Sequence, residues 1–471
     1  MSPLRLYCIL LPALALISCA SLGPAYRYKA PLIDRGEAII YLQPMPQEAN
    51  PLNFTIARIF ALPAEGEPIE LWPVFNAING AQLVGLQKHL AGGVLPPGVY
   101  SGLALQIQKA LIMTPEGEVA LFVPPQPIVV NHPFTITRQS AQALFLSFNP
   151  AKFITDEVQF TPVFSLAAPG RVLTNLTGLV TNADANSISV FNTRTMQIVD
   201  VIATGQGPQG IVLDQRRARA YVAAARDDAV EVYDIFQGGL IGRIRLNFKD
   251  RPVELALASD ARTLLSVNQG SNSVSILDAR SMFEVARIGV GEGPTSAVIG
   301  PSGLRAFVFN SRSSTISVID LTQRGVAVTI GVEGAPLRGA FNLRGDKLFV
   351  ISSASPNLTV IDLSRLAVVK TIFIGMGAVS ITADLQLDQI FVGKQIGQEV
   401  VVIDPQSLVF VDTIAVGGNP VYLAIDSQER SLFAALSDRR ILQKVDLTSK
   451  KIIARVEVDQ GAFAVAVMGK R

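Results

Sequence analysis

An all-β chain is predicted, an N-terminal β-sandwich followed by a seven-bladed β-propeller whose last strand joins the first blade. Three observations predict it. A strand-like Val-Ile-Asp segment, or a close variant, ends at Asn192, Asp234, Asp278, Asp320, Asp362, Asp404 and Asp446, at intervals of 42, 44, 42, 42, 42 and 42 residues. A Pro or Ala stands sixteen residues beyond six of these, at Pro208, Pro294, Pro336, Ala378, Pro420 and Ala462. Ahead of the repeats, short apolar runs alternate with Pro/Gly turns, the pattern of a sandwich. Seven units of about forty residues are the signature of a closed propeller.

Composition sets the frame. The 471 residues are 49% hydrophobic and 17% charged, enough apolar material for more than one core. Net charge is +2 with no clustered basic face, so no nucleic-acid partner is expected. The two cysteines, Cys8 and Cys19, lie in the first twenty residues, which leaves the folded part without a disulfide framework. The two histidines, His89 and His132, lie outside the repeats.

Residues 1–18 read as a signal peptide. Arg5 precedes an apolar run at 6–17, interrupted only by Pro12 and too short to span a bilayer. The run ends in Leu16-Ile17-Ser18-Cys19, which resembles the bacterial lipobox. That resemblance implies a diacylglycerol thioether at Cys19, the lipid attachment site. Ala20 in place of Asp implies an outer-membrane address. The expected location is therefore the bacterial cell envelope, with the membrane as partner through the lipid. Residues 19–35 carry Gly23, Pro24 and Pro31 without periodicity and read as the lipidated tether.

Residues 36–168 are assigned to the sandwich, with strands at 38–42, 54–61, 69–72, 99–107, 118–123, 134–137, 143–148 and 158–164 and a short helix or turn at 81–90. Trp72 is placed in its core; His89 and His132 are expected at the surface or in loops. Leu95-Pro96-Pro97-Gly98-Val99-Tyr100 resembles the turn-strand of transthyretin-like and carboxypeptidase-regulatory-like sandwiches. With Gly117-Glu118-Val119-Ala120-Leu121-Phe122-Val123-Pro124 and Leu146-Ser147-Phe148-Asn149-Pro150-Ala151-Lys152, the order is closer to an uncharacterised sandwich domain of bacterial lipoproteins. Neither resemblance implies an activity.

Residues 169–471 are assigned to the propeller. In the unit around Asp320, the strands are 295–299 (A), 306–309 (B), 315–319 (C) and 326–330 (D). Strand A of this unit lacks charge, as an innermost strand should. Strand B ends in Leu179-Val180-Thr181-Asn182, Tyr221-Val222-Ala223-Ala224, Phe307-Val308-Phe309-Asn310 and further copies, which resemble the YVTN-type repeat of seven-bladed propellers. That repeat hosts many roles. The first unit starts at strand B near Gly178, and 461–468 supplies a spare strand A, so both ends are expected to share one blade. The 44-residue interval adds two residues between Asp234 and Pro252, around 236–239 or 248–250, read as tolerated loop drift with a ligand-contacting protrusion as the alternative.

Loops B–C and D–A share one face, the expected ligand mouth. Arg226, Arg312, Lys394 and Arg440 occupy equivalent B–C loops and form a candidate ligand face for an anion. Without His or Cys in the repeats there is no axial haem ligand, no copper site and no Ser-His-Asp triad, so neither haem nor another cofactor is expected. Only an all-oxygen metal site is conceivable. Gly205-Gln206-Gly207-Pro208-Gln209-Gly210 falls in a D–A turn rather than between a strand and a helix, so it is no dinucleotide loop. The expected function is a non-enzymatic protein-interaction scaffold with a protein partner in the envelope. The alternative is a metal-assisted hydrolase or lyase acting in the propeller mouth.

Overall fold

The computed structural model describes residues 29–150, 153–156, 158–170 and 176–469. The signal peptide, Cys8, Cys19 and the first part of the tether lie outside the described residues.

The N-terminal domain contains β1 (Gly36–Leu42), β2 (Leu52–Pro63), β3 (Ile69–Pro73), β4 (Ala77–Asn79), β5 (Lys88–Leu95), β6 (Gly98–Thr114), β7 (Gly117–Leu121), β8 (Ile128–Ile136), β9 (Ala141–Asn149), β10 (Ile154–Thr155), β11 (Gln159–Phe160) and β12 (Val163–Ala167). Ten of them form one continuous sheet in the order β12-β9-β1-β5-β3-β2-β6-β7, with β4 beside β2 and β8 beside β6. The sheet folds on itself. Ala38, Ile40 and Leu144 from one half meet Phe54, Leu105 and Val130 from the other in a single core. Strand β1 is buried along its whole length. That explains its run Ile39-Ile40-Tyr41-Leu42, which does not alternate: one face enters the sandwich core and the other meets the propeller. In the Pro-Pro-Gly-Val-Tyr turn, the Tyr100 hydroxyl donates to the Pro96 carbonyl at 2.9 Å, and its ring stacks on Phe134 at 5.1 Å.

Three expectations are corrected. Trp72 is 76% exposed, because β3 turns it to the outer face opposite Gly92. The short helix or turn expected at 81–90 is confined to the 3₁₀ turn Ala81–Leu83, and its last residues belong to β5, which begins at Lys88. The Gly92-Gly93 pair masked this strand. Gly93 is required there, since a Cβ would lie 2.8 Å from the Leu71 side chain. His89 is half-buried rather than exposed in a loop: it sits in β5 against the Tyr41 ring, centroids 5.3 Å apart.

Strands β13 to β40 form seven four-stranded sheets, each a blade. Blade 1 is closed as the sequence implied. Its β13 (Thr177–Asn182) lies between β14 (Ser187–Asn192) and β40 (Ala462–Val467), with β15 (Gln197–Ala203) outermost. The 44-residue interval lengthens mainly the D–A loop of blade 2, residues 246–251 between Leu240–Arg245 and Pro252–Leu257.

The repeating Asp at the end of strand C has a structural task. Its carboxylate accepts the backbone N–H groups two and three residues on, closing the C–D turn, at Asp234, Asp278, Asp320, Asp362 and Asp404, with Asn192 doing the same. The backbone N–H of Ser281 and the side chain of Arg262 hold the Asp278 carboxyl well below its ordinary range. Asp278→Ala is expected to cost about 1 kcal/mol, after allowance for its exposure to solvent, read as a lower urea midpoint at neutral pH.

The sandwich sits on the outer edges of blades 1 and 7. Gln87 acts as a surrogate strand residue: its amide accepts from the Ile198 N–H at 2.7 Å and donates to the Ile198 carbonyl at 3.0 Å. Ile39, Tyr41 and Ala143 join Ile198, Val201, Val456 and Val458 in a shared apolar cluster. Lys88 pairs with Glu457, and the end of the tether is tied down by Lys29 N–H donating to Asp184 at 3.1 Å. The His89 Nε2 is buried at this junction with no hydrogen-bond partner among the described residues. Burial pushes its pKa below the ordinary value; Arg440 adds to this, while Asp459 and Glu457 oppose it. The neutral form is thus favoured in the folded state, and the unfolded chain binds the extra proton. His89 therefore contributes stability that is present above about pH 6.5 and lost as pH falls toward the depressed folded value. Wild type is expected to lose more stability than His89→Phe between pH 7 and 5, measured by urea midpoints. Parallel loss in both would contradict this.

Candidate functional site

The inner strands put one residue per blade into a ring around the central channel. The third positions are Gly210, Glu254, Ser296, Arg338, Ser380, Tyr422 and Ala464. Most of this ring is small. Into it project one carboxylate, one guanidinium and one phenol. Arg338 of blade 5 crosses the channel to pair with Glu254 of blade 3. Its guanidinium lies over the Tyr422 ring at 4.9 Å and near the Phe463 ring at 6.0 Å. Gly210 makes room: a Cβ there would lie 2.6 Å from Glu254 Oε1. Burial opposes the charge on Arg338, and attraction to Glu254 outweighs it, holding the guanidinium above its ordinary range. Burial, reinforced by the Glu254 charge, pushes the Tyr422 hydroxyl well up, so it stays protonated at any physiological pH.

A cavity of about 1340 Å³ extends from this ring toward the A–B turns, where Gln215, Arg216, Ser259 and Gln428 line it. The fifth positions of the inner strands are Val212, Ala256, Val298, Ala340, Thr382, Ala424 and Ala466, small enough to leave the channel open below the large residues of the ring. The open space thus lies at the end opposite the expected B–C and D–A mouth, which the ring closes off.

The four predicted ligand-face residues do not line this cavity. Arg226 reaches Asp184 at 3.4 Å. Lys394 is 8% exposed and bonds Glu399 of its own blade at 3.1 Å. Arg312 lies against Gly293, whose positive φ of 62° brings the turn close to the side chain. Arg440 adopts a left-handed conformation with φ of 56° and lies where its charge acts on Tyr41 and His89 at the sandwich junction. Arg226 and Lys394 are thus paired with carboxylates, the Arg440 Nε is buried with no hydrogen-bond partner among the described residues, and the four stand in four different blades. The Gly-Gln-Gly turn is also spoken for: the N–H groups of Gly205, Gln206 and Gly207 donate to Glu231, Asp227 and Asn186 at 2.8–3.0 Å, leaving no cradle for a phosphate. The added residues of blade 2 form a knuckle in which Asp228 accepts from the N–H groups of Lys249 and Arg251, each at 2.8 Å, and Phe248 stands 84% exposed.

Sequence reading missed Glu254, Arg338 and Tyr422. A signal was present. Aligning the units on their Pro/Ala column puts two opposite charges and a phenol into a position that is otherwise Gly, Ser or Ala. As to metals, among the described residues no three His, Cys, Asp or Glu side chains gather where an ion could be held.

No family model matches the chain, and no curated protein matches it. Solved structures do. A functionally unknown protein from Desulfotomaculum acetoxidans superposes with a TM-score of 0.56 at 14% identity, covering 62% of this chain and 98% of that one. A putative 6-phosphogluconolactonase from Bacteroides fragilis gives 0.52 at 13% identity, covering 62% and 97%. The dihydro-heme d1 dehydrogenase NirN, in complex with DHE, gives 0.51 at 15% identity, covering 64% and 77%. At these identities the likeness is one of fold, and the fold of this chain is an all-β sandwich joined to a seven-bladed propeller.

Proposed function

We propose that this chain is a bacterial envelope lipoprotein, anchored to the outer membrane through Cys19, whose YVTN-type propeller is a non-enzymatic scaffold for a protein partner. The observation that carries the reading is the state of the propeller's outer edge. The outer strand of blade 1 is covered by the sandwich, whereas the outer strands of blades 3, 5 and 6 leave Phe283, Phe373, Val409, Phe410 and Val411 exposed. Unpaired strand edges carrying exposed apolar side chains are surfaces on which other chains dock. The channel supports the same reading from the other side, since its central carboxylate is held in an ion pair and no histidine is there to act as acid or base.

Two variants test the proposal. Cys19→Ser is expected to release the protein from the membrane fraction; a variant that stays membrane-bound would remove the anchor from the account. Phe373→Ser combined with Phe410→Ser is expected to abolish capture of a reproducible partner from gently solubilised envelope without shifting the unfolding midpoint. Unchanged capture would remove the edge from the account.

A further inference from the structure

We infer that the channel cavity is a binding site for an uncharged, polyhydroxylated small molecule, a sugar or sugar alcohol seated against the Glu254–Arg338–Tyr422 ring from the A–B turn side. The inference goes beyond the scaffold reading and does not depend on it.

The first support is hydrogen-bonding capacity. Arg338 lines the cavity and carries five N–H donors, and its bond to protein uses Nη1 alone. The Tyr422 hydroxyl also lines the cavity and makes no hydrogen bond among the described residues. Ser296 donates to the Leu337 carbonyl at 2.7 Å and Ser380 to the Pro420 carbonyl, so both keep lone pairs for a ligand. Glu254 meets Arg338 through Oε2, and its Oε1 accepts the Leu255 N–H at 3.3 Å and keeps a second lone pair. Donors and acceptors are thus interleaved in one layer. A hydroxyl, which both donates and accepts, matches that pattern; a carbonyl or an ammonium matches half of it.

The second support is charge. The Glu254 and Arg338 side chains are 5% and 17% exposed. An anionic ligand on the free Arg338 N–H groups would lie beside the Glu254 carboxylate and be repelled by it. A cationic ligand on Glu254 would meet the Arg338 guanidinium in the same way. A charged ligand therefore weakens a desolvated ion pair, and a neutral ligand leaves it intact.

The third support is shape. Below the ring, Val212, Ala256, Val298, Thr382, Ala424 and Ala466 line a wall of small residues suited to the C–H faces of a pyranose. The cavity, about 1340 Å³, exceeds the roughly 300–1,000 Å³ of ordinary small-ligand sites, so it has room for a disaccharide.

Isothermal titration of the full-length protein in detergent tests this, with glucose, maltose and sorbitol as neutral probes. Gluconate serves as the anion of matched skeleton, and glucosamine, below the pKa of its amine, as the matched cation. At least one neutral probe is expected to saturate, with the charged probes at least tenfold weaker. Tyr422→Phe keeps the ring under Arg338 and removes the hydroxyl. It is expected to weaken the neutral probe severalfold at an unchanged unfolding midpoint. Saturation by none of the neutral probes, gluconate binding as tightly as glucose, or unchanged affinity in Tyr422→Phe would each overturn the inference. These outcomes are read on purified protein, so they leave partner capture from the envelope unaffected.

Discussion

Glu254→Ala, with Arg338 left in place, is expected to destabilise the propeller by about 3–5 kcal/mol, the largest effect of any single substitution in the channel. The Glu254 side chain is 5% exposed and its partner 17%, so removing the carboxylate leaves a guanidinium facing a channel it cannot leave. Stacking on Tyr422 at 4.9 Å retains only part of the favourable interaction. Replacing both members by Met is expected to recover most of the loss, because apolar residues of similar volume carry no uncompensated charge. Urea denaturation of the wild type and the two variants at neutral pH decides it. If the double variant is as unstable as Glu254→Ala, the ring is held by shape rather than by charge.

Truncation after Asp459 is expected to abolish folding of the propeller. The removed strand β40 pairs with β13 at Gly178, Leu179, Val180 and Asn182 and completes blade 1. It also buries Ala462, Ala464, Val465, Val467 and Met468. Burial of the three larger side chains alone contributes roughly 5–9 kcal/mol, comparable with the ~5–15 kcal/mol that stabilises a whole domain. The truncated chain would also expose β13 as an open inner edge on the channel side of blade 1, inviting aggregation. Insoluble expression, or a soluble form without a cooperative transition, is the expected result. Unfolding at the wild-type midpoint would show that closure contributes little.

Architecture was legible in the sequence because repetition averages out local ambiguity. Any one run such as Thr315-Ile316-Ser317-Val318-Ile319-Asp320 is a plausible strand, and seven at a fixed interval leave one closed arrangement. The clasp was legible because the first unit lacks an inner strand and the last residues supply one. The sandwich was less so. Strand β5 was hidden by Gly92-Gly93, and β1 lost its alternation because the propeller covers its second face. Trp72 shows the same limit: residue type favours the core, and the register of β3 against β5 turns the ring outward.

The site was the least legible part. Loop charges such as Arg312 and Lys394 drew attention because charges on loops are easy to see. The ring depends instead on register, since Glu254 and Arg338 are 84 residues apart and meet only when the inner strands of blades 3 and 5 both line the channel. Nothing local in Pro252-Val253-Glu254-Leu255 announces that partner; only the column formed by all seven units does. His89 likewise becomes a buried group only when the sandwich docks on blades 1 and 7.

Native mass spectrometry of the protein released from the envelope in mild detergent tests the central claim most directly. A lipid-anchored, non-enzymatic scaffold predicts a chain beginning at Cys19, heavier than its sequence by the mass of acyl groups and accompanied by a protein partner that leaves on collisional activation. A chain with an unmodified Cys19, or one without a partner that retains a stoichiometric divalent metal, would contradict it.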